Sequence, residues 1–249
     1  MGWNAKARGA YETGSTQSIE NANEIYAILG NLGYSLKAVC AVLGNIWKES
    51  GYNPWQWQDD NIGSTQNYAS YSRRYIGYGL VQWTPAKEYI DDPIAQLTLG
   101  YAPNFSDQTG NASDGYSQIN FIDYQLFHGG NWFWNSSRYN YYNPYFYDYT
   151  GKNTDDFTTM TAQQFKDGAN GDGTHIWVLE DFVGAFSLEY LRPAYQYAAR
   201  DYWPSVSTAE YWYQYFEGQP VPPPPGPVPP QPPLPRTGMP VWMMIDYRY

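Results

Sequence analysis

Cysteine is almost missing from this chain: Cys40 stands alone among 249 residues, so no internal disulfide can form. Histidine is as scarce. His128 and His175 are far apart and have no neighbouring ligand residues, which leaves no zinc centre or other metal site in view. Charged residues make up only 15%, and they lean one way, with 14 Lys and Arg against 24 Asp and Glu for a formal net charge of −10. That balance excludes nucleic-acid binding through a diffuse basic surface and electrostatic capture by anionic lipid. No apolar run approaches the roughly 20 residues that would cross a bilayer. The opening MGWNAKARGAYETGS has no apolar core of a signal peptide, so none is expected. Neither a GxSxG elbow nor a Walker loop occurs, and no cofactor is expected.

What the chain has in excess is aromatic surface, 19% of residues with 27 Tyr and 11 Trp. Such rings present flat apolar faces with a polar edge, the shape that suits sugars with C–H faces and hydroxyl rims. Proline is concentrated in Gln219–Pro235, QPVPPPPGPVPPQPPLP. It fixes φ and removes donors there, so this stretch reads as an extended spacer. The expected organisation is one folded domain over 1–217, a linker over 218–238 and a short tail over 239–249. LPRTG at Leu234–Gly238 matches a wall-sorting motif. The apolar piece beside it, MPVWMMI, would reach only about 10 Å as a helix against a hydrocarbon core of about 30 Å, so the match reads as chance.

Helical signals dominate the body. Ser18 is expected to cap a first helix reaching about Leu32. Ser35 caps a second, in which Leu36, Val39, Cys40, Leu43, Ile46 and Trp47 recur at helical spacing. Gly51 and Pro54 should end it. The helical period disappears between Trp55 and Trp83, where alternating aromatics with Gly, Asn and Asp suggest a small β-hairpin. Thr84-Pro85 reads as a cap and first helical residue. Further helices are expected from Ser113 to Phe127 and from about His175 through Phe186. Another is expected after Pro193, and Thr161–Gln164 resembles a capping box. Asn131–Met160 reads as an irregular aromatic stretch. The fold class is α+β, mostly α.

One carboxylate sits where chemistry is possible. Glu49 lies beside Val42 and about 60° from Ile46 on the helical wheel, at the border of the buried face. It also falls in the last helical turn, where the carbonyl ends disfavour negative charge. Partial burial against Trp47, Trp55 or Trp57 would push its pKa the same way. An acid that keeps its proton near neutral pH is what a glycosidase needs for its leaving oxygen. The same features also fit an ordinary surface glutamate unfavourably placed on the dipole.

GNIWKESGYNP around Glu49, followed some twenty residues on by GYGLVQWTP at Gly77–Pro85, resembles the phage tail lysozyme family within the lysozyme-like superfamily. FIDYQLFH at Phe121–His128 and FVGAFSLEYLRPAYQYAARDYW at Phe182–Trp203 continue the likeness. Leu191 departs from it, standing where the family has a glutamate before Arg-Pro. The resemblance implies a lysozyme-like domain with its hairpin after the catalytic helix, acting on bacterial peptidoglycan glycan strands. It makes Glu49 the general acid and places Tyr78 and Gln82 on the glycan. Trp57 and Trp83 fit stacking or core packing, and Asn53 fits a sugar contact or a turn before Pro54. A second carboxylate would be Asp60 or Asp59, residues equally suited to a turn. With neither, the muramic acid 6-hydroxyl could attack intramolecularly, which is lytic transglycosylase chemistry. A non-catalytic glycan-binding tail protein is the alternative of a different class. The resemblance also implies a virion-tail or released phage protein, with other phage tail proteins as candidate partners and neither nucleic acid nor membrane among them. Cys40, on the apolar helix face, reads as structural.

Because the net charge is −10, affinity for cell wall should rest on aromatic and polar contacts. Pull-down of the protein by purified wall at 50 mM and 500 mM salt should therefore give similar bound fractions, since screening weakens only charge-driven binding.

Overall fold

The computed structural model describes residues 3–4, 10–58, 76–90, 114–128, 132, 146–191 and 195–219. These are mostly helical. α1 spans Thr16–Asn31 and α2 spans Leu36–Ser50; α3 is a short Lys87–Ile90, and α4 covers Asp114–His128. α5 follows at Ala162–Asp167, α6 runs over Leu179–Ala185 and continues as a π-helical segment Phe186–Leu191, and α7 is Tyr195–Phe216.

Local chemistry accounts for these boundaries. α1 is capped by Ser15, not by the expected Ser18: Ser15 is extended, and its Oγ accepts the Ser18 N–H at 3.3 Å. Ser18 instead lies inside the first turn, buried, donating its hydroxyl to the Ser15 carbonyl. α2 begins and ends as expected. Ser35 Oγ accepts from the Ala38 N–H, and Gly51 closes the helix in the left-handed region at φ 55°. α5 carries the full capping box between Thr161 and Gln164.

Three further expectations are corrected. Thr84-Pro85 does not open a helix, because the Thr84 hydroxyl is bonded to the Gln82 carbonyl and the chain turns once more before Lys87. The helix expected from His175 starts only at Leu179. Asp172 Oδ1 holds the Thr174 and His175 N–H groups in a turn, Gly171 bridges to Ile176, and Ile176 is 85% exposed. The aromatic stretch Asn131–Met160 is not wholly irregular either, being helical over 146–150 and forming a 3-10 turn at Thr154–Asp156.

Where a β-hairpin is expected, no named strand occurs among the described residues. Trp57–Tyr78 and Tyr78–Trp83 pair as isolated antiparallel bridges, and 59–75 lie outside the described residues. The linker and tail from 220 onward lie outside them too.

α2 is the centre of the molecule. Every residue from Ala38 to Ile46 is buried, so the helix is covered on all sides rather than along one stripe. α7 lies closest to it, with α6, α1 and α5 packed around. The approach of α7 depends on Gly44. A Cβ at that position would stand 2.4 Å from the Ser205 carbonyl oxygen and 3.0 Å from the Ala209 Cβ. At its far end α7 is fastened by Trp212, whose Nε1 donates to the Tyr52 hydroxyl at 2.7 Å, and by Phe216 stacked on Tyr26 at 4.2 Å.

Gly44→Ala should therefore destabilise the fold by about 1–3 kcal/mol through overpacking, outweighing the roughly 1 kcal/mol that alanine contributes to helix propensity. Thermal unfolding followed by circular dichroism should show Tm falling by several degrees. An unchanged Tm would mean that the two helices do not meet this closely.

Candidate active site

Glu49 occupies the penultimate position of α2, two residues before the helix closes at Gly51. The chain leaves through two successive left-handed residues, Gly51 and Tyr52 at φ 63°. A tyrosine in that region is uncommon and strained, and it is held by burial and by the Trp212 bond. Residues 10 and 11 close over this corner, with the Tyr11 N–H bonded to the Gly51 carbonyl at 2.9 Å. The end of α2 is thus fixed from both sides.

From this end Glu49 opens into a cavity of about 260 Å3 formed by α2, α6 with its π segment, and α7. Asn45 spans the back wall, its Nδ2 donating to the Ala41 carbonyl and across to the Val183 carbonyl of α6. Ser187, Val183, Tyr197 and Ser205 complete the wall. The π segment is a common irregularity at functional sites, and it brings Ser187 into the wall. In α7, Pro204 has no N–H to offer the carbonyl of Arg200, so the helix ladder is broken beside the cavity.

The electrostatics are concentrated on one corner. Asp201 accepts from Arg200 at 2.7 Å on each oxygen and pairs with Lys48 Nζ at 3.2 Å. Burial pushes the Asp201 carboxyl up, but the Arg200 and Lys48 bonds and charges outweigh it and hold it below the usual range. Glu49 behaves oppositely. It keeps a partial opening to the cavity while its carboxyl is largely desolvated, and it has no hydrogen-bond or ion-pair partner among the described residues. Burial first, and the Asp201 charge second, push its pKa up to about 7, against a smaller downward pull from Lys48. Such a group keeps its proton in a large fraction of molecules near neutral pH, faces a cavity, and can give up its proton there.

The other residues singled out in the sequence lie elsewhere. Tyr78 is fully buried, its ring 4.5 Å from Trp57 and 6.3 Å from Tyr89. Trp83 stacks on Tyr89 at 4.6 Å and donates Nε1 to Gln125. Trp57 is also in the core. Gln82 is half-buried at φ 52°, with its Nε2 donating to the Gln56 and Gly79 carbonyls. The segment as a whole is docked by α4: Gln118 accepts the Leu80 N–H and donates to the Pro54 carbonyl. Asn53 is buried and makes the turn after α2, accepting the Trp55 N–H. Asp59 and Asp60 lie outside the described residues. None of the described residues among these lines the Glu49 cavity.

What sequence reasoning missed is the charged corner from α7. Arg200 and Asp201 are adjacent in the chain and some 150 residues from Glu49, so no local pattern points to them. The only hint is Gly44, a glycine inside an otherwise apolar helix, which signals a close neighbour without naming it. Among the described residues no cluster of His, Cys, Asp and Glu could hold a metal ion.

Comparison with known proteins bears on the first part of this region. A model of a family described as phage tail lysozyme matches residues 20–176, a span that includes Glu49 and the Gly77–Pro85 segment but stops short of Asp201. Among curated proteins, Morphogenesis protein 1 of Bacillus phage B103 is 39% identical over 71 residues, covering 28% of this chain and 17% of that protein's length.

The raised pKa has a stability consequence. Between the ordinary carboxylate value and about 7 the folded protein binds a proton that the unfolded chain has released, so Glu49 erodes stability as pH rises through that window. Glu49→Gln should consequently raise Tm at pH 8 and leave it nearly unchanged at pH 4. A gain of equal size at both pH values would contradict a desolvated carboxylate.

Proposed function

The chain belongs to the phage tail lysozyme family, and from that premise we propose that it hydrolyses the β-1,4 bond between N-acetylmuramic acid and N-acetylglucosamine in peptidoglycan. The observation that carries this reading is Glu49: a carboxyl at a helix end, desolvated enough to remain protonated near neutral pH and open to a cavity. In the reaction Glu49 gives its proton to the glycosidic oxygen as the bond to the muramic acid C1 breaks. The N-acetylglucosamine hydroxyl leaves, and positive charge spreads over C1 and the ring oxygen. Water then adds to C1, and its proton passes to the Glu49 carboxylate, which restores the acid. Gln82, half-buried in its loop, would meet the glycan beyond the Glu49 cavity. Tyr78, Trp57 and Trp83 support that loop from beneath. The activity suits a phage protein acting on the bacterial wall, whether carried in the tail or released, and other tail proteins would be its partners.

One observation favours a second route. The only other carboxylate among the described cavity residues, Asp201, has both oxygens engaged by Arg200 and one also by Lys48, which makes it a poor base for water. With Glu49 as the sole acid, the muramic acid 6-hydroxyl can close onto C1, giving a 1,6-anhydro product and no net uptake of water.

Mass spectrometry of soluble fragments from digested peptidoglycan separates the two. Reducing N-acetylmuramic acid ends are expected for the hydrolase, and anhydro ends would make it a transglycosylase. Reducing N-acetylglucosamine ends or free stem peptides would overturn the bond assignment. Glu49→Gln should lower turnover by about 10²–10⁴-fold while wall binding persists. The wild-type rate should fall about tenfold per pH unit above pH 7, as the acid loses its proton. No products from several wall types, with wall binding equal in wild type and variant, would turn the reading toward a glycan-binding tail protein.

A further inference from the structure

The cavity at Glu49 contains a second carboxylate that the proposed reaction leaves without a role. Asp201 sits on α7, one turn before Ser205, whose carbonyl is the group that approaches Gly44. Lys48, which pairs with Asp201, lies one turn after Gly44 on α2. The same close helix approach that holds the core together therefore sets Asp201 against the end of α2. Its position is further fixed by the bidentate Arg200 contact, and the Arg200 guanidinium stacks on the Tyr197 ring at 4.8 Å.

We propose that Asp201 is a positioning residue for the acid: clamped between Lys48 and Arg200, it presents a fixed negative charge to the cavity that keeps the proton on Glu49. This rests on the reading of Glu49 as the proton donor. The inventory of groups facing Glu49 among the described residues is short. α2 contributes Lys48, and α7 contributes Arg200, Asp201, Tyr197 and Tyr202. The wall from α6 and the π segment is uncharged, Val183 and Ser187. Burial keeps the Tyr202 hydroxyl neutral, and it donates to the Glu180 carbonyl.

The signs of the charges decide the outcome. Without Asp201, Lys48 would act on Glu49 with no anion opposing it, and the carboxylate would be favoured more than it is now. Held apart by the arginine fork, Asp201 cannot take the proton itself, because its own oxygens are already bonded. Lys48 acts in two ways at once: it orients Asp201, and it attracts the ionised form of Glu49 directly. Burial raises the acid most, and the balance between these charges adjusts it close to neutrality, where a general acid is both protonated and willing to donate.

The test is the titration of the Glu49 carboxyl carbon, followed by NMR in the full chain carrying labelled glutamate, with Glu49→Gln used to assign the signal. The midpoint should lie near 7 in the wild type. Asp201→Asn should lower it by about one pH unit, and Asp201→Glu should restore most of that shift. Lys48→Gln should move it upward. Opposite directions for the two variants are what a charge effect requires and a general loosening of the cavity does not produce. The alkaline limb of peptidoglycan cleavage should follow, with Asp201→Asn about tenfold slower than wild type at pH 8 and close to it at pH 5. An unchanged midpoint in Asp201→Asn, or shifts of the same sign in both variants, would overturn the proposal. If Asp201→Asn fails to fold, Asp201→Ser takes its place, a downward shift supporting the proposal and an unchanged midpoint overturning it. Because the titration uses no peptidoglycan, its result stands apart from the activity reading, which fails separately if Glu49→Gln still cleaves wall.

Discussion

The approach of two helices at a residue without a side chain underlies the rest of this molecule. Gly44 lets the backbone of α7 come so near α2 that a single added carbon would collide with the Ser205 carbonyl. From that crossing outward, the two helices bury Ala209 and Val206 on one side and present Lys48 and Asp201 to each other on the other. The packed core and the charged corner of the cavity are consequences of one contact. Stability and chemistry are therefore coupled here through geometry rather than through any shared residue.

The corner is arranged against stability. A carboxyl in the last turn of a helix opposes the helix dipole, loses water on burial and faces another anion, and each of these effects favours the protonated form. The fold tolerates this because the helix end is secured on both sides by the 10–11 segment and by the buried Tyr52–Trp212 pair. Rigid support around a destabilised group is the common arrangement where a proton must be given up on demand. The segment Gly77–Trp83 follows a similar logic with different means. Its backbone turns through left-handed residues at Gly79 and Gln82, and Gln118 and Gln125 of α4 hold it by side-chain hydrogen bonds beside the isolated bridges at Tyr78.

Much of the local architecture could be read from residue order. Ser35, Gly51 and the Thr161–Gln164 box act through hydrogen bonds to residues three or four places away, so their roles depend on nothing distant. The same locality explains the misplaced boundaries. Ser15 and Ser18 are both competent caps, and the choice between them follows the turn that precedes the helix. Ile176 continues the helical period of Leu179 and Phe182, yet the Asp172 turn takes up the backbone before a helix can start. Periodicity reports which faces are apolar and says little about where competing side-chain bonds interrupt them.

The sequence by itself determined a mostly helical chain, a buried central helix, its two ends, and a glutamate placed at the last turn, because spacing, capping and dipole are properties of neighbours along the chain. It could not determine that Tyr78, Trp57 and Trp83 would be core rather than cavity wall, since an aromatic ring suits both and only the packing around it decides. Nor could it bring Arg200 and Asp201 to Glu49. That juxtaposition arises where two helices distant in sequence cross at Gly44, and the electrostatic character of the acid is a property of the crossing.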